Sequence, residues 1–587
     1  MDNTKIKPSN EQYVSNLRHT CAHLLAKAVR TLWPGAHNAI GPAIENGFYQ
    51  DFDMGDVKIS EDDLHKIEQK MREILPSWKG FTFREVTLKE AEKLFGYNPY
   101  KVEMAKEFAK DGKKLMTNDP GDFLDLCKMG HVENPSKELA HFKLLSVAGA
   151  YWRGSEKNKM LTRIYGTCFP TKEELDKYLW QQEEAKKRDH RKIAKELDLI
   201  VFSDLVGAGL PLYTPKGAIL RSEVYNFSRA LNKKIGYEET ALPGMNRAQL
   251  FKVSGHYEKY KADMLLVTSH YSEEEFYLKP MNCPQHCVIY GNKPRSYRDL
   301  PIRLSDFSVL YRDERPGEIN GLFRSRAFTQ DDGHCFCRED QIGEEFKNVL
   351  SVVDEALSVY GFIYKIRLSL RDPKTPEKYL GDEATWTRAE AKLQHIVKDS
   401  KVEYFEGIGE AAIYGPKLDF MAVDSLGREW QLSTIQLDMI MPGRFGLTYT
   451  DSDGSQKTPF MVHRAIIGSE RFIAILIEHY AGAFPLWLAP VHTVVIPIAE
   501  RHELYARETV EKLRFVGIRA ELDDRNESMQ GKIRDATLQK VPYMGIIGDK
   551  EAANNTIAIR TRSGEDLKAM DLKAFIARLH SEIEHKS

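Results

Sequence analysis

The segment KEELDKYLWQQEEAKKRDHRKIAKEL, residues 172–197, constrains the fold most. A stretch this rich in charge cannot run through a hydrophobic core without burying unpaired ions. It reads as a long, mostly exposed helix joining two folded regions, with its charges forming a solvated face. The chain length, 587 residues, agrees with such a division, because single cores stop growing at about 250–300 residues. Roughly three or four domains are expected.

Upstream, Val14 to Trp33 has helical periodicity: Val14, Leu17, Cys21, Leu24, Leu25, Ala28 and Leu32 share a face, and Pro34-Gly35 ends the run. A mixed α/β region extends to residue 171. Residues 198–490 form a large α+β region with short strand candidates such as VLYRDE, GHCFC and LDFMAVD, separated by Gly, Pro and Asp turns. From Val491 the texture changes to short alternation. TVVIPI, IRAEL, YMGIIG and TIAIR read as strands, and helices are expected near 502–515, near 529–540 and from Asp571. This is a compact α/β domain over 491–587. No fixed-period repeat or low-complexity segment interrupts the chain.

Composition excludes several classes. Lys+Arg (84) nearly cancel Asp+Glu (86), so net charge neither requires nor forbids a polyanionic partner. Seven sparse cysteines do not make a secreted disulfide framework. The polar opening MDNTKIKPSNEQ has no signal-peptide core, and no apolar run approaches the roughly 20 residues of a membrane span. A cytoplasmic location is expected.

Neither GxxxxGK[ST] nor GxGxxG occurs, so an ATP user would need another phosphate cradle. His19 and His23 lie four apart on the predicted helix, and Cys127 and His131 share that spacing. Together they suit either tetrahedral zinc or a metal-free hydrolytic site in which histidines act as acid and base. MNCPQHC (281–287) and GHCFC (333–337) suggest a zinc knuckle, but their Cys spacings are not those of common fingers, and buried strand cysteines fit the spacing better. In VLYRDERPGEINGLFRSRAFTQDDGH (309–334), Arg312, Arg315, Arg324 and Arg326 flank a tip with Gly317 and Gly321. Arginine forks suit phosphate and carboxylate, although a solvated basic loop would look similar.

This last stretch resembles motif 2 of the class II aminoacyl-tRNA synthetases in their threonyl, bacterial-type form. HTCAHLL, IGPAIENGFYQDFD, DFLDLCKMGH and AYWRGSEKNKMLTRIYGT are similar to the editing domain of that family. PMNCPQH, AAIYGPKLDF, WQLSTIQLD and HRAIIGSERF are similar to its core, and APVHTVVIPI, RNES, PYMGIIGDKE and IAIRTR to its anticodon-binding domain. The resemblance implies an α+β multidomain protein: an α/β editing domain (1–171), a linker helix (172–197), a class II antiparallel-sheet catalytic domain (198–490) and an α/β anticodon-binding domain (491–587). It implies ligation of L-threonine to tRNA(Thr) through threonyl-adenylate using ATP with Mg2+, hydrolysis of mischarged Ser-tRNA(Thr), and a homodimer near Pro243. It also implies one catalytic zinc on Cys283, His334 and His463, which replaces the knuckle and core-cysteine readings. By the same resemblance Arg312, Glu314, Arg324, Phe328 and Arg471 bind ATP. Gln330, Asp332, Tyr414, Lys417, Gln431 and Gln436 line the catalytic site with Arg312. His19, His23, Lys101, Asp125, Cys127 and His131 form the editing site, and Asn526, Glu551 and Arg560 read the anticodon.

Three departures stand out. The small domain that usually precedes the editing domain is not expected, because the helix bearing His19 starts almost at once. The family's DLCRGPH reads DLCKMGH here, so Lys128, Met129 and Gly130 are expected to reshape that loop. Motif 3 lacks one residue, since Gly468-Ser469 runs straight into Glu470-Arg471-Phe472, which is expected to re-aim Arg471. The short motif 3 leaves open a tRNA-binding relative without activation, or a deacylase with a silent synthetic site.

Overall fold

The computed structural model describes residues 10–127, 130–315 and 317–586. The chain forms two compact units, residues 1–183 and 184–587. In the N-terminal unit the helix Asn10–Leu32 buries Leu17, Cys21, Leu24, Leu25 and Ala28 against a five-stranded sheet, so the apolar stripe read from the sequence is the core face. A second, three-stranded sheet pairs Thr82–Val86, Leu115–Asp119 and Asp125–Leu126.

The linker is not one helix. It runs as Lys172–Lys187 and then His190–Glu196, with Asp189 capping the second segment by accepting from the Arg191 N–H. The expectation of a mostly exposed helix holds for the first segment. It fails for the second, where His190, Ile193 and Ala194 are buried. The charge run hid these apolar and uncharged positions.

The C-terminal unit is built on an eight-stranded sheet. Its strand order is Glu238–Glu239, Ile302–Asp306, Asp332–Cys337, Phe460–Ala465, Glu429–Asp438, Lys417–Val423, Ile363–Leu370 and Tyr404–Ile408. The six inner strands are antiparallel and only the two edge strands pair in parallel. Helices Ile342–Val359 and Glu470–His479 contribute to the core on this sheet. A further five-stranded sheet follows, in the order Ala520–Leu522, Thr493–Pro497, Tyr543–Ile547, Thr556–Thr561 and Asp566–Asp571. All four strands expected there are present, and Asp566–Asp571 adds one that the sequence did not signal. Arg519 ties this module to the rest of the unit. Its guanidinium donates to the carbonyls of Trp487 (2.7 Å) and Ala489 (3.0 Å) and to Glu223 (2.6 Å).

Beneath the large sheet lies an ion pair with no solvent contact. Arg464 pairs with Asp331, and Ser228 and Asn232 complete the carboxylate's partners. Both charges are fully buried, and each stands next to a residue of the working face. Asp331→Ala is expected to lower the stability of this unit by about 3–5 kcal/mol, because it leaves a buried guanidinium unpaired. Urea unfolding of the variant that overlays the parent curve would refute this.

Candidate active site

In a strand, alternate side chains share a face, and in-register antiparallel neighbours stand side by side on it. The register of the large sheet uses this to build a row. His334 stands opposite His463, His463 opposite Gln436, and Gln436 opposite Lys417. The next row on the same face holds Asp332, Ala465 and Thr434. Residues from both rows line two adjoining cavities of about 300 and 480 Å³.

Cys283, at the start of helix Cys283–Gly291, joins His334 and His463 so that one ligand atom of each lies within 4.8 Å of the others. All three are buried. His463 holds Asp438 through Nε2 at 3.0 Å, and His334 holds His286 through Nδ1 at 2.7 Å, so each imidazole has its other nitrogen left for the cluster. Oriented imidazoles of this kind are the usual surroundings of a bound metal. Burial pushes the Cys283 thiol well up and His334 well down, and a bound cation reverses both penalties. One thiolate and two neutral imidazoles fit zinc and leave coordination positions open. The Tyr414 ring stacks on His463 at 4.8 Å, and its hydroxyl donates to Gln436 at 2.8 Å. Burial raises Asp332 to about 6.

Arg312, Glu314, Arg324, Phe328, Gln330, Gln431, Gln436 and Arg471 line the first cavity, whereas Asp332, Tyr414 and Lys417 line only the second. Arg312 follows the strand Val309–Tyr311, and its guanidinium lies 5.0 Å from the Phe328 ring. Arg324 is held by Glu314 (2.6 Å) and Glu318 (2.8 Å). Arg471 lies in the first turn of helix Glu470–His479, which Ser469 caps, and its Nε donates to the Phe323 carbonyl at 3.1 Å. The missing motif 3 residue therefore does not carry Arg471 out of the cavity. Gly468 makes the junction at φ 92°, a left-handed conformation that suits glycine. Burial lowers the pKa of Arg471, and the nearness of Arg312 and Arg324 lowers it further. Glu314 and Glu318 offset Arg324, and the guanidiniums of Arg312 and Arg471 beside it leave a positive cavity that matches a polyanion.

Sequence reading missed several neighbours. Glu470 is buried, raised to about 7 by that burial, and accepts the Thr329 N–H at 2.6 Å. Asp419 organises the far wall, accepting from Lys417 (2.8 Å), Gln431 (2.8 Å) and Arg367 (3.0 Å). The alternation in KLDFMAV puts Asp419 on the face of Lys417 and was the available signal.

In the N-terminal unit, ligand atoms of His19, His23, Cys127 and His131 also lie within 4.8 Å of one another. Cys127 Sγ is 3.3 Å from His19 Nε2 and 3.4 Å from His131 Nε2. Lys101 pairs with Asp125 at 2.8 Å, and Asp125 lies 3.4 Å from His23. Burial lowers all three imidazoles, His131 to about 3, so at neutral pH they are uncharged acceptors. Of the altered loop, Lys128 and Met129 lie outside the described residues, and the Gly130 carbonyl holds His19 Nδ1 at 3.2 Å.

Asn526 is exposed in the loop after strand Ala520–Leu522, and Arg560 is exposed near the end of strand Thr556–Thr561. Glu551 is in the first turn of helix Asp549–Asn554, where it accepts the Gly548 N–H at 3.0 Å.

Residues 260–480 match the class II tRNA synthetase core domain (G, H, P, S and T), and residues 492–582 match the anticodon binding domain. A threonine–tRNA ligase of Rubrobacter xylanophilus is 47% identical over 97% of this chain and 88% of its own length. One of Cytophaga hutchinsonii is 48% identical with the same coverage. The solved RNA binding domain of a Cryptosporidium parvum threonyl-tRNA synthetase is 36% identical, with a TM-score of 0.64, covering 67% of this chain and 98% of that one. With near-full-length likeness of this degree and both modules matched, the chain belongs to the threonine–tRNA ligases, class II synthetases that join threonine to its tRNA.

Proposed function

We propose that this enzyme forms threonyl-adenylate from ATP, supplied with Mg2+, and threonine, passes the threonyl group to tRNA(Thr), and hydrolyses Ser-tRNA(Thr) in a separate N-terminal pocket. The convergence of Cys283, His334 and His463 beside the Arg312, Arg324 and Arg471 cavity carries this reading. Arg312 lines both cavities, so it can hold the threonine carboxylate against the α-phosphate. Phe328 supplies a face for the adenine, Glu314 accepts from its amino group, and Arg324 and Arg471 take the phosphates. Gln330, Asp332, Tyr414, Lys417, Gln431 and Gln436 orient threonine and the reacting groups.

Cys283, His334 and His463 would hold zinc, which would supply a cation able to take the amino and hydroxyl donors of threonine together. Valine lacks the hydroxyl and is strongly rejected by a site built to use one. Serine lacks only a methyl, worth about 1–3 kcal/mol, which is too little for accurate translation. That shortfall is the reason for a second, hydrolytic site. There the neutral imidazoles of His19 and His131 can hydrogen-bond and orient the attacking water, whose proton passes to the leaving ribose oxygen as the ester C–O bond breaks, while Lys101 and Asp125 hold His23 and the substrate in place.

The loop at Asn526, the helix start at Glu551 and the strand end at Arg560 are suited to reading splayed anticodon bases. We also read the enzyme as a cytoplasmic homodimer joined near Pro243. Among the described residues no helix is long and apolar enough to cross a membrane.

Three outcomes are expected. Cys283→Ser should abolish threonine-dependent pyrophosphate exchange and remove zinc from the purified protein, since a hydroxyl is a poor zinc ligand; fully active enzyme without zinc would overturn the metal reading. Arg560→Ala should weaken aminoacylation while sparing exchange without tRNA; equal loss of both would indicate a folding defect. His131→Ala should leave threonylation nearly intact and let Ser-tRNA(Thr) accumulate in a serine-charging assay. If the parent enzyme already accumulates it, the hydrolytic reading fails.

A further inference from the structure

Against two residues that line the first cavity, Leu322 and Phe323, lies a cluster with no assigned role. His190 opens the second linker helix and is fully buried. Its backbone N–H (3.0 Å) and ring Nδ1 (2.8 Å) both reach Glu478 Oε1 on the motif 3 helix. The other carboxylate oxygen of Glu478 pairs with Arg428 at 2.7 Å, and Asp424 holds that guanidinium. The carboxylate is thus already neutralised, and the cluster needs no metal.

The hydrogen-bond pattern fixes the ring's tautomer. The Leu322 N–H donates to His190 Nε2 at 3.1 Å, so Nε2 presents a lone pair and Nδ1 carries the proton that Glu478 accepts. Leu322 belongs to the arginine-bearing loop of motif 2 and itself lines the cavity. The next residue, Phe323, meets the His190 ring edge-on at 4.5 Å and stacks on Trp430 at 4.7 Å. Gly321, just before, has φ 52°, and a Cβ there would lie 2.2 Å from His190 Nε2. The loop backbone is therefore closed down onto this one nitrogen immediately before Arg324.

We infer that His190 is a positioning residue for ATP: through Nε2 it pins the loop backbone at Leu322 and so sets where Phe323 and Arg324 stand in the cavity. Glu478 fixes the ring that does the pinning. The inference rests on the reading of that cavity as the ATP site.

Two isosteres separate the ring's two nitrogens. Asn at position 190 keeps a donor where Nδ1 was and loses the Nε2 acceptor; Gln keeps an acceptor near Nε2 and loses the Nδ1 donor. In threonine-dependent pyrophosphate exchange with the full chain, His190→Asn should raise the KM for ATP about tenfold, the worth of one buried hydrogen bond, leaving the KM for threonine unchanged. His190→Gln should retain an ATP KM near that of the parent, even if it melts at a lower temperature. Gly321→Ala, which drives a methyl at the same nitrogen, should raise the ATP KM with the histidine intact. An unchanged ATP KM in both His190→Asn and Gly321→Ala would overturn the assignment. So would equal effects of Asn and Gln on ATP KM, threonine KM and melting, which would mark a merely structural residue. Arg324→Ala run alongside tests the cavity itself: if its ATP KM is unchanged, the ATP reading fails and the inference falls with it.

Discussion

Two antiparallel strands in register can bring residues more than a hundred positions apart in sequence within one side chain of each other, and that pairing underlies the synthetic site. Strand Asp332–Cys337 lies against Phe460–Ala465 so that His334 faces His463. A slip of one residue would turn every side chain of one strand to the opposite face, sending His463 into the core and Arg464 into the cavity. The buried pair of Arg464 and Asp331 opposes that slip, because each charge is matched only in the observed register. Stability and chemistry are thus fixed by the same alignment, one face of the strands carrying the lock and the other the ligands.

The two His/Cys clusters show how differently the same residue types can be used. In the synthetic site all three ligands are buried, and their outer nitrogens are engaged by Asp438 and His286. In the N-terminal pocket His23 is buried while His19, Cys127 and His131 are half-buried, and the buried pair of Lys101 and Asp125 stands beside them. The first arrangement favours a tightly held cation. The second leaves basic lone pairs within reach of water.

What could be read from the sequence followed the range of the interactions. The helix bearing His19 and His23 announced itself through local periodicity, as did the strands and helices after Val491. The proposed zinc set did so only in part: local Cys/His patterns brought out Cys283 and His334 within a knuckle reading that also took in His286, Cys287, Cys335 and Cys337, and no spacing rule reached His463. Only family resemblance joined the three. The break before His190 was hidden by charges that look the same on an exposed helix and on one buried along a single face. Asp331, Glu470 and Glu478 gave no signal, because a buried acid is recognisable only once its partner is known.

Arg519 has a mechanical consequence. Its guanidinium grips two carbonyls and Glu223, which fastens the module carrying Asn526, Glu551 and Arg560 to the body that carries the catalytic row. An arm clamped at its root acts as a gauge: the gap between its tip and the reaction centre belongs to the protein, not to the RNA. On the proposed reading, a nucleic acid would bridge a preset interval to engage both ends at once, so that its length would be tested in the same act as its bases.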